Sequence, residues 1–463
     1  MFASSHRSTT ARSIAILAMG MLLGSGLCPS VAMAGGAAPA SDGSMALLLT
    51  MLGVISAAYL VTHFLMDRIQ RRMLVTSGLE YVLLGILLGS SSGVLSDHVM
   101  LAPVLAFAAG WIGLLDGSTL RGPRLGNLPK RALRLAVADL VVVGGGVGLT
   151  GYAVLHYGMA IASSEALLAG SVLGCAATSG STSSTHLLGR RFTQLLEEGD
   201  PERPCPGSVY GLVCATSRLT QTFAILAFGA VTCLFHPQFT GSESPPVAAE
   251  WLVLMLGLGV TLGALFRMLI NKESTDNQRF MALVGIICFS TGAAFFLDLS
   301  ALTVNLVLGA VLVQGNKGVE LQRNLHSTRA PVVLLLLVLG GVVWTPVSLS
   351  KGIAIVVAVV AARLLFKLLS GALAAAGTSV RPDVGRGFVA QGEVGLCIAL
   401  SYRLIFSGEA VELVFTAILF SVVLSEVAAP RLLRGLLVDA GELRQDLAMG
   451  TQPTGPDPRA VGG

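Results

Sequence analysis

VGRGFVAQGEVGLCIAL, residues 384–400, has the apolar length of a membrane helix but not its regularity. Gly385, Gly387, Gly392 and Gly395 interrupt it, and Gln391 and Glu393 stand at its middle. A glycine costs a helix interior about 1 kcal/mol relative to alanine, and a charge at mid-membrane costs roughly 2.5–3.5 kcal/mol on insertion scales. The stretch therefore predicts a helix broken around an ionisable residue. A second such stretch, GCAATSGSTSST at 174–185, sets Gly174, Gly180 and a run of hydroxyls around Thr178 and Ser179. One stretch lies in each half of the chain. Broken helices at corresponding positions of two halves point to inverted repeats that build a substrate site near the midplane. Hydroxyls, amides and freed carbonyls at such a break can replace the water around an ion. Glycine and serine equally suit close helix–helix contact, and that alternative stays open for 174–185.

Outward from these two stretches the chain is apolar throughout. Of its 463 residues 53% are hydrophobic and only 12% charged, well short of the quarter or so that a water-soluble surface needs. Apolar runs fall at 44–66, 74–89, 99–115, 133–157, 164–188, 207–235, 250–270, 279–297, 301–314, 330–345, 351–374, 385–404 and 411–429. In lipid the backbone must satisfy its own hydrogen bonds, so these runs predict helices, about thirteen of them. The expected fold is an all-α polytopic membrane protein with inverted repeats and two broken crossing helices.

The loops assign a direction. Those after the odd-numbered runs carry Arg68, Arg71 and Arg72; Arg121, Arg124, Lys130 and Arg131; Arg190, Arg191 and Arg203; Lys272; Lys317, Arg323 and Arg329; and Arg381. The intervening loops hold no Lys or Arg, with Lys351 at the edge of one. The positive-inside rule then places the mature N-terminus outside and the C-terminus in the cytoplasm of an inner (plasma) membrane protein. Arg7 and Arg12, the apolar run 13–27 and Ala32-Met33-Ala34 read as a signal peptide over 1–34, with an uncleaved first helix as the rival. The transmembrane domain is expected over 35–430 and a short cytoplasmic tail over 431–463.

Chemistry has few other footholds. The cysteines show no CxxC or Cys/His spacing, so neither a disulfide nor a metal site is expected. No Ser/His/Asp constellation has supporting context, so no catalytic residue, enzyme activity or cofactor is expected, and no motif points to nucleic acid. Gly144-Gly145-Gly146 reads as helix packing, because no strand precedes it and no Lys-Ser/Thr follows. The polar residues at mid-run are the candidate ion-binding set: Thr178, Ser179, Ser217, Arg218, Arg363, Gln391 and Glu393. For Glu393 the alternative is a structural ion pair, with Arg218 or Arg363 as its partner. Arg267, Lys367 and Arg403 lie nearer run ends and are read as snorkelling anchors, and Asp139, Glu165, Asp298 and Glu426 as solvated at boundaries.

Along nearly its full length the chain resembles the monovalent cation:proton antiporter superfamily, in its Kef-like and sodium/proton exchanger branch. LEYVLLGILLGSSSGVL (79–95), SALTVNLVLGAVL (300–312), AARLLFK (361–367), VGRGFVAQGEVGLCIAL (384–400) and SEVAAPRLLRGLLVDAGE (425–442) are similar, in order, to segments of that family. The resemblance implies a homodimer in the lipid bilayer, with a panel and a core in which the fifth and twelfth runs cross, exchanging a monovalent cation (Na+ or K+) for protons by an elevator-like alternating-access step. The chain departs from the pattern at two places. Thr178-Ser179 stands where a Thr-Asp or Ser-Thr pair is usual, and Ser217-Arg218 where one or two aspartates are usual. A guanidinium does not titrate usefully and repels cations. Glu393 is left as the expected titrating group, facing Arg218 and Arg363. The alternatives are a transporter of an anionic or neutral solute and a non-transporting homologue.

Overall fold

The computed structural model describes residues 79–91, 98–120, 129–186, 208–236, 248–270, 276–315, 318–378 and 380–443. The expected signal peptide, the first apolar run and the end of the tail lie outside the described residues. Helices follow one another as α1 Leu79–Ser91, α2 His98–Ser118, α3 Lys130–Gly158, α4 Ser163–Thr178, α5 Val209–Leu234, α6 Ala248–Ile270 and α7 Asp276–Phe296. They continue as α8 Ala301–Leu312, α9 Gly318–Ser327, α10 Arg329–Val343, α11 Leu349–Ala375, α12 Glu393–Ile405 and α13 Glu409–Asp439. A 3-10 turn, Pro382–Phe388, precedes α12. The described residues contain no strand, and the all-helical membrane architecture expected from composition is the one observed.

Among the described residues, six helices are long and apolar enough to cross a bilayer, seven if Pro382–Phe388 and Glu393–Ile405, bent by 61°, form one broken span. The expected count of about thirteen is not reached by length alone. The reason is local: α1, α4, α8 and α10 have only 13, 16, 12 and 15 residues, and α4 resumes at 182–186 after a break. At 1.5 Å per residue such pieces fall short of the ~30 Å hydrocarbon core. The region expected as a loop after the ninth run holds α9, whose Leu321 and Leu325, one turn apart, are buried while Glu320 and Arg323 are exposed. The last helix passes the expected boundary at 430 and ends at Asp439.

Packing follows small residues. A Cβ on Gly174 of α4 would lie 2.3 Å from the carbonyl oxygen of Gly144 on α3, so the backbones touch where a side chain would part them. This is the packing role read for the glycine string. Similarly, a Cβ on Gly309 of α8 would lie 2.5 Å from the carbonyl oxygen of Leu114 on α2. Hydroxyls cap the starts: Ser208 Oγ accepts from the amide of Gly211 at 2.9 Å, and Ser300 Oγ from that of Thr303 at 3.3 Å. Outer faces of α3, α6 and α11 expose Leu149, Val253 and Leu365, as lipid contact requires.

Candidate functional site

Two helix breaks meet in the interior. The first follows Thr178, where α4 ends and residues 179–181 leave helical geometry before helix resumes at 182. Thr178 Oγ1 and Ser179 Oγ turn back to the carbonyls of Gly174 (2.9 Å) and Ala176 (2.7 Å), the local competition by which hydroxyls loosen a helix. The second spans Val389–Gly392, between the 3-10 turn and α12. The breaks touch: a Cβ on Gly392 would lie 2.5 Å from Ser181 Oγ, so a larger residue there would have to displace Ser181. Gln391 pins them, its Nε2 donating to Ala176 O at 2.9 Å while its Oε1 accepts from Ser421 Oγ of α13 at 2.7 Å.

A helix that stops inside a protein leaves carbonyls without partners and a partial negative charge at its end. α11 answers both breaks with cations one turn apart. Arg363, 2% exposed, donates from Nε to Ala177 O (3.1 Å), from Nη2 to Ser179 O (3.3 Å), and from Nη1 to Val389 O (2.6 Å) and Ser425 Oγ (3.0 Å). One guanidinium thus closes carbonyls of both breaks. Lys367 Nζ donates to Thr178 O (3.1 Å) and pairs with Asp139 Oδ2 at 2.5 Å, with Ser370 Oγ on the other carboxylate oxygen at 3.0 Å. Both side chains of this pair are fully buried. Neither Lys367 nor Asp139 is therefore at a solvated edge, contrary to the sequence reading. Asp139 immediately precedes a π-turn, Leu140–Gly144, a winding often found beside functional residues.

Acids face the starts of both resuming helices, matching the positive ends there. Ser181 Oγ accepts from the amide of Ser184 at 3.1 Å, and Ser184 Oγ donates to both Glu426 carboxylate oxygens at 2.8 and 2.7 Å. Glu426 is thus engaged with the first break, also contrary to the boundary reading. Glu393 opens α12, and its Oε1 accepts from Ser183 Oγ at 2.9 Å and Arg329 Nε at 3.0 Å, with Arg329 Nη2 closer still.

Glu393 is not paired with Arg363, which is spent on the break carbonyls and Ser425. Its partner is Arg329, which the sequence counted among the basic loop residues. The first residue of α10 turns its guanidinium inward and reaches Thr182 Oγ1 at 3.2 Å and Asp116 Oδ1 of α2 at 3.5 Å. Thr182 in turn donates to Gln221 Oε1 of α5 at 2.9 Å. Ser217 packs its backbone against Gly180, whose Cβ would lie 3.2 Å from Ser217 Cα. Arg218 is half-buried, and its charge acts on Asp116. Of the seven candidates, Thr178, Ser179, Arg363 and Gln391 are joined at the crossing. Glu393 lies beside it with Arg329, and Ser217 and Arg218 stand on the flanking helix.

Sequence reasoning missed Asp116, Arg329 and the Asp139–Lys367 pair. Run edges hid them: Asp139 and Lys367 are read there as boundary residues, Arg329 as a loop cation, and Asp116, just past the end of a run, draws no reading. The four-residue spacing of Arg363 and Lys367 was the available signal.

No family model and no curated protein matches the chain. Among solved structures it is similar to the sodium proton antiporter MjNhaP1 from Methanocaldococcus jannaschii at pH 8, with 15% identity, a TM-score of 0.60, and coverage of 83% of this chain and 99% of that one. An electron-microscopy structure of the same antiporter matches at 15% identity and TM-score 0.55, covering 88% of this chain and all of the other. The chain has this antiporter's fold. The crossing of two broken helices, expected from the glycines and hydroxyls of 174–185 and 384–400, is thus set in an antiporter fold.

Proposed function

We propose that the chain is a multi-pass inner-membrane secondary transporter that exchanges a monovalent cation, Na+ or K+, for protons by alternating access, working as a homodimer. One observation carries this reading: a buried carboxylate, Glu393, starts a broken helix and is held by a guanidinium and a hydroxyl from two other elements, at the edge of a crossing in an antiporter fold. A carboxylate so placed can hold a proton or a cation, while Arg329 supplies the neutralising charge when neither is bound. Thr178, Ser179, Arg363 and Gln391 hold the crossing in shape, and Ser217 and Arg218 form its α5 wall. On the orientation given by the loop charges, Arg329 reaches Glu393 from the cytoplasmic side. The mature N-terminus is then outside and the C-terminus cytoplasmic.

The test is collapse of a pH gradient in proteoliposomes on adding sodium, potassium or lithium. Exchange predicts a response to at least one ion that Glu393→Gln removes. Silence with all three, and no difference between wild type and Glu393→Gln, would sink the reading. A second reading, transport of an anionic or neutral solute, is supported by the cations Arg218, Arg329, Arg363 and Lys367 gathered at the helix breaks and on α5. It takes over if Arg218→Ala abolishes anion uptake while cation flux stays at background. A non-transporting homologue would move neither.

A further inference from the structure

We propose that Asp116 of α2 is the carboxylate whose proton and cation exchange, supplying from a different helix the acidic group that α5 lacks at Ser217-Arg218. This rests on the cation:proton reading above but moves the exchanging group from Glu393 to Asp116, leaving Glu393 as the acid that holds Arg329 in place.

Two carboxylates share the Arg329 guanidinium, and they are not equivalent. Glu393 is engaged, with one oxygen accepting from Ser183 and from two nitrogens of Arg329. Asp116 only approaches it, Oδ1 standing 3.5 Å from Nη2. The second oxygen, Oδ2, is buried and has no hydrogen-bond partner, and the residue as a whole is 4% exposed. An ionised carboxylate has about four acceptor sites, and a bare buried oxygen loses its hydration with nothing in return. That deficit is removed when something small and positive sits on Oδ2.

A second unpartnered group belongs to the same network. Gln221 Nε2 of α5 is buried without a partner, while its Oε1 accepts from Thr182, the residue that also receives Arg329. Turning the amide over, a rotation that ordinary structures leave open, would present an oxygen in place of the unpartnered nitrogen. Oxygen donors of this kind suit a hard monovalent cation, and Oδ2 alone suits a proton.

The facing charges set the balance. Arg329 from α10, Glu393 from α12 and Arg218 from α5 act on Asp116. Arg329 and Glu393 neutralise one another, so loss of a proton from Asp116 leaves a negative charge that Arg218, half-buried on the flanking helix, offsets only at longer range. A cation entering restores neutrality, and a returning proton displaces it. Proton and cation thus compete for one oxygen, which is the requirement for exchange.

The experiment uses the full chain, purified, with wild type, Asp116→Asn, Asp116→Glu and Glu393→Gln compared in proteoliposomes under sodium, potassium and lithium gradients. Cation-dependent shifts in melting are read in parallel on the solubilised protein. Expected is a loss of cation-driven proton flux of at least tenfold in Asp116→Asn, together with loss of the cation-dependent melting shift. Asp116→Glu should retain flux with a displaced pH midpoint and apparent KM. An active wild type whose Asp116→Asn keeps flux, KM and pH midpoint overturns the inference and leaves the exchange reading standing. A wild type silent to all three ions overturns both. Should Asp116→Asn fail to assemble, Asp116→Glu decides: unchanged KM and pH midpoint would make Asp116 a structural partner of Arg329 and refute the proposal.

Discussion

Asp139→Asn should be among the most damaging single substitutions in this chain, although it alters only one atom's identity. The carboxylate and its Lys367 partner are 1% and 0% exposed and 2.5 Å apart, so neither charge has water to fall back on. Removing one member of a buried pair leaves the other uncompensated, at about 3–5 kcal/mol. Replacing both by apolar groups of similar volume removes that penalty, and in comparable cases is neutral or stabilising by about 1–4 kcal/mol. Here the compensation should be incomplete, because Lys367 also donates to Thr178 O at 3.1 Å and Asp139 accepts from Ser370 Oγ at 3.0 Å. One buried carbonyl, Thr178 O, is orphaned in the double variant, at roughly 1–3 kcal/mol, while Ser370 Oγ keeps its second acceptor, Lys367 O, at 3.0 Å. Reversible unfolding in mixed detergent micelles should therefore rank wild type first, then Asp139→Leu/Lys367→Met, then Asp139→Asn and Lys367→Met. A loss below about 1 kcal/mol for Asp139→Asn, or a double variant equal to the sum of the singles, would refute the reasoning, since additivity means that the two do not interact.

Three further outcomes follow from the crossing. Arg363→Lys should lose at least about 1 kcal/mol, because one ammonium cannot reach Ala177 O, Ser179 O and Val389 O together and each orphaned carbonyl costs roughly 1–3 kcal/mol; chemical denaturation measures it. Gly392→Ala should cost about 1–3 kcal/mol by forcing a Cβ to within 2.5 Å of Ser181 Oγ, and Ser181→Gly in the same chain should recover much of the loss; recovery below a quarter would argue that the contact is not the cause. Arg386→Ala is the control: its 2.9 Å pair with Asp439 is 41% and 49% exposed, so unfolding should change by less than about 1 kcal/mol.

The architecture was legible because its signals are local. Glycines and hydroxyls at 174–185 and 384–400 marked both breaks, since helix interruption is written in the interrupted residues themselves. The partners at the breaks were not legible, because they come from afar. Arg329 lies 64 positions from Glu393, and Lys367 lies 228 from Asp139. Arg329 was hidden further by being basic at a run's edge, where a cation normally marks the cytoplasmic face. Asp116 was overlooked for the same reason, standing at the end of an apolar run beside Gly117. Only the fold distinguishes a boundary residue that faces water from one that faces the core.

The charge on the crossing bears on the one sequence feature that argued against cation exchange, the replacement of acids by Ser217-Arg218. The free carbonyls at the end of α4 and after the 3-10 turn are occupied by Arg363 and Lys367, and the two starting helix ends by Glu426, through Ser184, and Glu393. With those ends neutralised, the crossing backbone has little left with which to hold a transported ion. A cation would have to be held beside the crossing, by a carboxylate not already committed to a helix end. Asp116 meets that condition and Glu393 does not, since Glu393 both starts α12 and binds Arg329. On this reasoning an α5 carboxylate is dispensable, because α2 supplies the acid beside the crossing and only its location changes. The corresponding charge-swapped chain, Asp116→Asn with Arg218→Ser and Ser217→Asp, should recover cation-driven flux that Asp116→Asn alone loses. If flux stays lost in a swapped chain that unfolds like wild type, the position of the carboxylate is fixed to α2 and the idea of a relocated charge is wrong.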